Sequence, residues 1–271
     1  MQEIPISKKI PELDFALEAA MLASEAILQI YDEKIEEFTK DDNSPITKAD
    51  LKSNELIKKI LSKTEHHILS EEDKDDLNRL QKDTLWIVDP LDGTSDFIDK
   101  TGEFTVMISL VKNKIPVLGV IAWPTEKIIF AAQKNQGAFQ LKDGNWEKIS
   151  VSNELDIKKC RAVGSRHHLS DKEKNFIKLL EIKEFSSIGS SLKVCMIASG
   201  KADAYITTTN KMKEWESAAS NCIILEAGGL MTDMSGNQIT YNNEDVFHQN
   251  GIIVSNGKIH EKIVCEYKKL D

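Results

Sequence analysis

Cysteine is scarce in this chain and forms no pattern. Cys160, Cys195, Cys222 and Cys265 include no C-x-x-C pair, which speaks against a zinc site or a disulfide framework and for reduced thiols in the cytoplasm. A basic excess is also missing. Lys and Arg number 35 against 44 Asp and Glu, a formal charge of -9, whereas a protein built to grip a nucleic-acid polymer needs cations to displace counterions. No apolar run is long enough to span a bilayer, so no membrane partner is expected. The first apolar stretch is interrupted by Asp14, Glu18 and Glu25 and does not read as a signal peptide. Repeats and low-complexity tracts are absent. What is left is an ordinary globular composition, 41% hydrophobic and 29% charged, over 271 residues. That length suits one large α/β unit or two closely packed halves. A small anionic substrate remains compatible with the charge, provided local cations offset the field.

PELDFALEAAMLASEAILQIY repeats apolar residues at helical spacing, with Pro11 in the first turn. A second helix should present Ile57, Ile60 and Leu61 inward, and HHILSEED reads as a short strand ending in acid. FTVMISLV, IPVLGVIAWP and KIIFAAQKNQGAFQL read as three runs of an antiparallel meander. The polar stretch KDGNWEKISVSNELDIKK places a subdomain boundary near residue 150, dividing the chain into 1–150 and 151–271. Beyond it the expected order is strand CRAVGS, helix KEKNFIKLLEI, helix SSLKVCMIASG, strand ADAYIT, helix EWESAASNCIILEAGG and strand GIIVSN. Such alternation predicts layered sheets and helices.

Four acidic stretches fall where strands end or helices begin: Asp50 in SPITKAD, Glu71 and Glu72 in ILSEED, Asp89 and Asp92 in DPLDGT, and Glu216 in EWESAA. Taken singly, each has a plain structural reading. Thr47 to Asp50 fits a capping box, Glu216 an acid at a helix start, Glu71-Glu72 a solvated turn, and Asp92-Gly93 a turn pair. Asp89 resists that treatment, because it follows Trp86-Ile87-Val88 directly and should lie near the core. Buried anions need a counter-charge. Oxygen-only ligands gathered at one sheet edge suit Mg²⁺, a hard cation.

The joint pattern resembles the inositol monophosphatase superfamily of magnesium-dependent, lithium-sensitive phosphatases, and within it the bacterial 3'(2'),5'-bisphosphate nucleotidases. DPLDGTSDFIDKTGEFTV is similar to the D-P-[LI]-D-G-T signature with its downstream G-E-F-T-V. NSPITKAD, ILSEED, GSSLKVCMIASGKADAY and EWESAASNCIILEAGG resemble the remaining motifs, in order, over nearly the whole chain. The resemblance implies a layered αβαβα sandwich and two or three Mg²⁺ ions held by Glu71, Asp89, Asp92, the Leu91 carbonyl and Glu216. It implies that Asp50 and Thr94 pair to orient and deprotonate a water. It also implies that Gly93-Thr94 opens a helix toward a phosphate, and that many relatives are homodimers. Ser190, Ser191 and Lys193 resemble the family's contacts to a second phosphate, and Glu216 also borders the substrate. Glu72 is left to a supporting role.

Two departures bear on function. The family's C-terminal motif normally runs W-D-x-A, whereas Trp215 is followed here by Glu216; one extra methylene moves the carboxylate by about one bond, and small displacements alter catalysis. The segment YITTTNKMKEW lacks the usual arginine and Gly-Pro pair, leaving Lys211 and Lys213 as substitutes. Ser165-Arg166-His167-His168, in turn, resembles the nucleotidase S-R-S-H loop. His66 and His67 have no ligand set around them and read as surface residues. Three readings stand: a nucleotidase acting on adenosine 3',5'-bisphosphate, an inositol-phosphate or other polyol-phosphate phosphatase, and a metal-binding protein whose chemistry has lapsed.

Overall fold

The computed structural model describes residues 3–33, 37–39 and 45–270. Pro11 occupies the first turn of α1 (Pro11–Tyr31), where a missing N–H is harmless, and Leu13, Ala16, Ala20, Ala23 and Ile27 form its buried stripe. An antiparallel pair, β1 (Glu37–Thr39) and β2 (Pro45–Thr47), leads into α2 (Lys48–Leu61). Its inner face carries Ile57, Ile60 and Leu61, as the spacing predicts. Asn43 and Ser44 of the NSPITKAD stretch lie outside the described residues.

Next come β3 (His67–Ser70), β4 (Thr84–Asp92), the short helix α3 (Thr94–Ile98), and β5 (Thr105–Lys112), β6 (Ile115–Trp123), β7 (Ile128–Gln133), β8 (Gly137–Lys142) and β9 (Asn145–Ile149). These strands form one seven-stranded sheet in sequence order, with β3 parallel to β4 and every later pair antiparallel. The meander is longer than expected. KIIFAAQKNQGAFQL is two strands, and the polar KDGNWEKI segment closes a further hairpin. Asp143 and Gly144 both take positive φ, 50° and 80°, the geometry of a two-residue hairpin turn.

The second sheet draws on β10 (Arg161–Ser165), β11 (Glu184–Ile188), β12 (Ala204–Thr207), β13 (Leu230–Thr232) and β14 (Ile252–Ser255), in the order β11-β10-β12-β14-β13. Between and after them run α4 (Asp171–Leu179), α5 (Leu192–Ala198), α6 (Ala218–Glu226) and α7 (His260–Tyr267). The helix expected from Glu214 begins only at Ala218. Ser217, at φ -131° and ψ -24°, breaks it, and Glu214–Glu216 coil into a tighter separate turn. β11, β13 and α7 were not expected. β11 is an exposed edge strand without alternation, and β13 has three residues, so neither carries a periodic signal.

The layers follow from which side chains alternate. Trp86, Val88, Val106, Ile108 and Val120 face α1 and α2, while Leu85, Ile87, Met107, Ile121 and Phe130 pack with Ala219, Cys222 and Ile223 of α6 and with Val163, Tyr205 and Val254 of the second sheet. On the far side of that sheet, Phe176, Ile177, Ile263 and Tyr267 cover Ala162, Ala204, Ile206 and Ile253. This is the αβαβα sandwich. Period-two alternation along β4 carries Asp89 onto the face of Leu85 and Ile87, toward the middle layer.

α7 is fastened by one imidazole. His260 is 3% exposed, with Nδ1 2.8 Å from Ser255 Oγ and Nε2 2.8 Å from Thr232 Oγ1, which ties the helix to β14 and β13. Burial pulls its pKa from 6.5 down to about 4. The unfolded chain therefore takes up this proton first, and stability is lost as pH falls from about 6.5 toward 4. His260→Gln is expected to lower stability at neutral pH and to reduce the loss on acidification by roughly 1–3 kcal/mol. His248, also lowered to about 4 by burial, adds to the slope in the same direction. Urea denaturation at several pH values measures this; an unchanged slope counts against the assignment.

Candidate active site

Asp89 and Asp92 are an odd number of residues apart, so an unbroken strand would send them to opposite faces of the sheet. The strand is broken. Asp89 pairs with Met107 but Asp92 with Thr105, so β4 carries one extra residue as a bulge, and both carboxylates reach the same cavity. Within the bulge the Leu91 N–H donates to Asp89 Oδ1 at 3.1 Å. Gly93 then turns the chain at φ +94° into α3, as the sequence predicts, and a Cβ there would stand 3.2 Å from both the Glu103 carbonyl and Ser190 Cβ. Only glycine allows both the turn and the close approach.

α2 is docked on this corner by its polar side chains. Ser53 Oγ donates to the Pro90 carbonyl at 2.7 Å, and Asn54 accepts from Ser70 Oγ at 2.8 Å. At its start, the Thr47 N–H donates to Asp50 Oδ2 at 2.7 Å and the Ala49 N–H to Thr47 Oγ1 at 3.1 Å, so the capping reading holds. The same carboxylate also meets Thr94. Thr94 Oγ1 donates to Asp50 Oδ1 at 3.0 Å and lies 3.4 Å from the Leu91 carbonyl oxygen. Thr94 lines the cavity, whereas Asp50, 1% exposed, stands behind it.

Parallel pairing of Ser70 with Val88 continues one step, through the Glu71 N–H to the Val88 carbonyl at 3.2 Å, and so sets Glu71 beside Asp89. From the other half of the chain, the Glu214–Glu216 turn brings Glu216 to the same cavity; its Oε2 accepts from the Lys213 N–H at 2.5 Å. The loop before α5 braces Asp92. The Ser191 N–H donates to Asp92 Oδ2 at 2.5 Å, and Ser191 Oγ shares a 2.7 Å hydrogen bond with Thr105 Oγ1. Lys193 is buried, donates to the Ser190 carbonyl and offsets the charge of Asp92. Ser191 and Lys193 thus hold acidic and backbone groups, and both line the cavity together with Ser190.

The cavity is about 730 Å³, and its lining includes Glu71, Asp89, Leu91, Asp92, Gly93, Thr94, Ser190, Lys193 and Glu216. Asp89, 1% exposed, is held well above the usual carboxylate range, first by burial and then by Glu71, Asp92, Glu216 and Glu72. Asp92 rises to about 6, again through burial, with Lys193 and the Ser191 N–H opposing. Glu216 reaches about 8, from burial and from Asp92. Asp50 is raised by burial against its hydrogen bonds from Thr47 and Thr94. Glu72 is outside the lining. Among the described residues no group of three His, Cys, Asp or Glu forms a ready-made metal cage. An all-oxygen set of this kind fits Mg²⁺ nonetheless, because that ion keeps several waters and is usually held by one or two carboxylates with substrate phosphate. Carboxylates forced together at the cost of their own ionisation give such a cation its binding energy.

Some residues without a sequence-assigned role support this corner. Glu103, inside GEFTV, accepts from the Gly189 N–H at 2.6 Å and pairs with Arg166 at 2.6 Å, joining the loop before α5 to Ser165–His168. Glu214 accepts from the N–H groups of Asn242 and Asn243 at 2.7 and 2.9 Å, and Asn242 Oδ1 accepts from buried Arg79 at 3.0 Å. His168 lines the cavity, with its pKa lowered by burial and then by His167, Lys193 and Lys211. His66 and His67 lie apart, beside Glu12 and Asp76.

The sequence profile of the inositol monophosphatase family matches residues 10–271. The chain belongs to the inositol monophosphatase family. It is 32% identical over 252 residues to the 3'(2'),5'-bisphosphate nucleotidase CysQ of Escherichia coli K12, covering 90% of this chain and 99% of that protein. To the CysQ of Buchnera aphidicola it is 34% identical, with 84% and 87% covered. Among solved structures, CysQ from Bacteroides thetaiotaomicron matches at TM-score 0.78 and 37% identity, covering 91% of this chain and 97% of that one. The Thermotoga maritima IMPase matches at 0.82 and 25%, covering 96% and 98%. Family membership makes the chain a phosphatase, a hydrolase.

Asp92→Asn removes a charge that the Ser191 N–H holds in position. Phosphatase turnover should fall by more than about 100-fold, beyond the usual loss for a group outside the ligand shell, while circular dichroism stays that of the parent. Substantial residual turnover would count against ligation by Asp92. Glu216→Asp should keep turnover within about ten-fold. Asp50 makes the same three-residue reach to a backbone N–H at 2.7 Å, so the shorter acid can be held equally well. A steep fall in kcat would show that the cavity is adapted to the longer side chain.

Proposed function

We propose that the chain is a Mg²⁺-dependent 3'(2'),5'-bisphosphate nucleotidase, removing the 3'-phosphate of adenosine 3',5'-bisphosphate to leave AMP and phosphate. One observation carries the reading: Glu71, Asp89, Asp92 and Glu216 border a single cavity with the Asp50–Thr94 pair at its edge. The names of the CysQ relatives support the substrate class. When bound, two or three Mg²⁺ ions would supply Lewis acidity, lowering the pKa of a water and neutralising phosphoryl charge.

The chain's own groups do the positioning. Thr94 Oγ1 donates its hydrogen bond to Asp50 and so keeps its lone pairs for a water, which it can orient in line with the phosphorus as an acceptor. Asp50, desolvated and raised in pKa, is suited to receive a proton through that hydroxyl. Asp92 is held by Ser191, and Glu216 by the Lys213 N–H, so neither carboxylate has to be ordered when substrate enters. Lys211 and Lys213 border the cavity and offer positive charge for a second phosphate. Free thiols at Cys160, Cys195, Cys222 and Cys265 favour a cytoplasmic location. Among the described residues no helix is long and apolar enough to cross a membrane.

Phosphate release separates the alternatives. The purified protein should hydrolyse adenosine 3',5'-bisphosphate faster than inositol 1-phosphate in the presence of Mg²⁺, and EDTA should abolish both. Faster release from inositol 1-phosphate would move the assignment to the polyol phosphatases. Mg²⁺ binding by calorimetry without turnover of either ester would support the lapsed enzyme.

A further inference from the structure

Besides its acidic residues, the cavity lining includes apolar and aromatic side chains that phosphoryl transfer does not require. Tyr205, Met212, Lys213 and Phe247 contribute to it. Tyr205 is 6% exposed, whereas Phe247 presents 40% of its surface to solvent. A lone exposed phenylalanine is ordinary on a convex surface. This one borders a concave site, and its backbone is clasped on both sides.

The Glu214 N–H donates to the Val246 carbonyl at 2.9 Å, and the His248 N–H to the Met212 carbonyl at 2.8 Å, so Phe247 sits in an antiparallel bridge opposite Lys213. Its own N–H donates to Asp245 Oδ1 at 3.0 Å. Next in the chain, buried His248 places Nε2 2.6 Å from Ser217 Oγ and meets the Tyr241 ring edge-on at 5.7 Å. Lys213, the bridge partner, directly precedes the turn that delivers Glu216, and its Nζ lies 5.6 Å from the centre of the Phe247 ring. The backbone that carries the ring is thus fixed in place, opposite a residue three positions before Glu216.

We infer that Phe247 is a specificity-determining residue whose ring stacks on the nucleobase of a nucleoside phosphate, separating nucleotides from polyol phosphates at this site. The inference rests on the proposed nucleotidase reading and deepens it. A cavity of about 730 Å³ falls in the range that encloses small-molecule ligands. A preset aromatic face needs little ordering on binding, and stacking on it tolerates any base, because every base has a π face. An inositol ring, edged with hydroxyl groups, gains nothing comparable. A phenyl ring has no group that can act on a phosphoryl oxygen, so its contribution is to ground-state binding and belongs in KM more than in kcat.

Steady-state kinetics on adenosine 3',5'-bisphosphate and on methyl ribofuranoside 3,5-bisphosphate, which keeps the sugar and both phosphates but has no base, test this. Phe247→Ala is expected to raise KM for the nucleotide by roughly 5- to 100-fold, the loss of one stacked base. It should leave kcat and the KM of the base-free ester near the parent values, and Phe247→Trp should restore nucleotide binding. An equal rise in KM for both esters, a fall in kcat alone, or no change for either overturns the stacking role. Parent protein that hydrolyses neither ester removes the nucleotidase reading itself, and the inference with it.

Discussion

Repulsion among carboxylates that the fold has buried together is the constraint around which this molecule is arranged. Asp89 has apolar strand behind it and Glu71, Asp92 and Glu216 around it, so it resists ionisation unless positive charge enters. Lys193 is the protein's own partial answer, and it is tied down against the Ser190 carbonyl. The fold keeps an unfavourable cluster because the hydrophobic layers on either side of the seven-stranded sheet over-determine where β4 must lie. Strain of this kind survives in a native state only when the surrounding packing is extensive.

The site is also divided between remote parts of the chain. Glu71, Asp89 and Asp92 come from the seven-stranded sheet, whereas Glu216 arrives on a turn locked by Glu214 to Asn242 and Asn243. Ser191 crosses the divide by bonding Asp92 and Thr105, and Glu103 crosses it again through Gly189 and Arg166. These bridges mean that the relative placement of the two sheets is read out directly as the separation of carboxylates. A ligand that holds those carboxylates in turn stabilises the folded arrangement, by an amount that grows with the logarithm of its concentration.

Much of this was legible in the sequence for identifiable reasons. α1 and α2 announce themselves through apolar spacing, and β4 through an apolar run that ends in acid. The ordered motifs located the residues that line the cavity, because each motif is a strand end or a helix start. What stayed hidden has no local signal. Arg79 and Asn242 stand 163 residues apart and meet only through tertiary structure. Ser217 interrupts what looks like one continuous helix, because the turn before it must aim Glu216 into the cavity instead of continuing the spiral. Ser191 and Lys193 look like free polar groups in the sequence, yet are committed to internal bonds that only the folded chain creates.

The extra residue at the end of β4 has a consequence for how this segment can vary. Everything before it, Trp86 and Val88 on one side and Leu85 and Ile87 on the other, is phased by the two core layers, while Asp92 is phased by Ser191. A chain shortened by one residue between Asp89 and Asp92 could satisfy one of these schedules but not both. Length at this corner is therefore as much a part of the design as the identity of the acids, and only exchange of one side chain for another leaves both clocks running together.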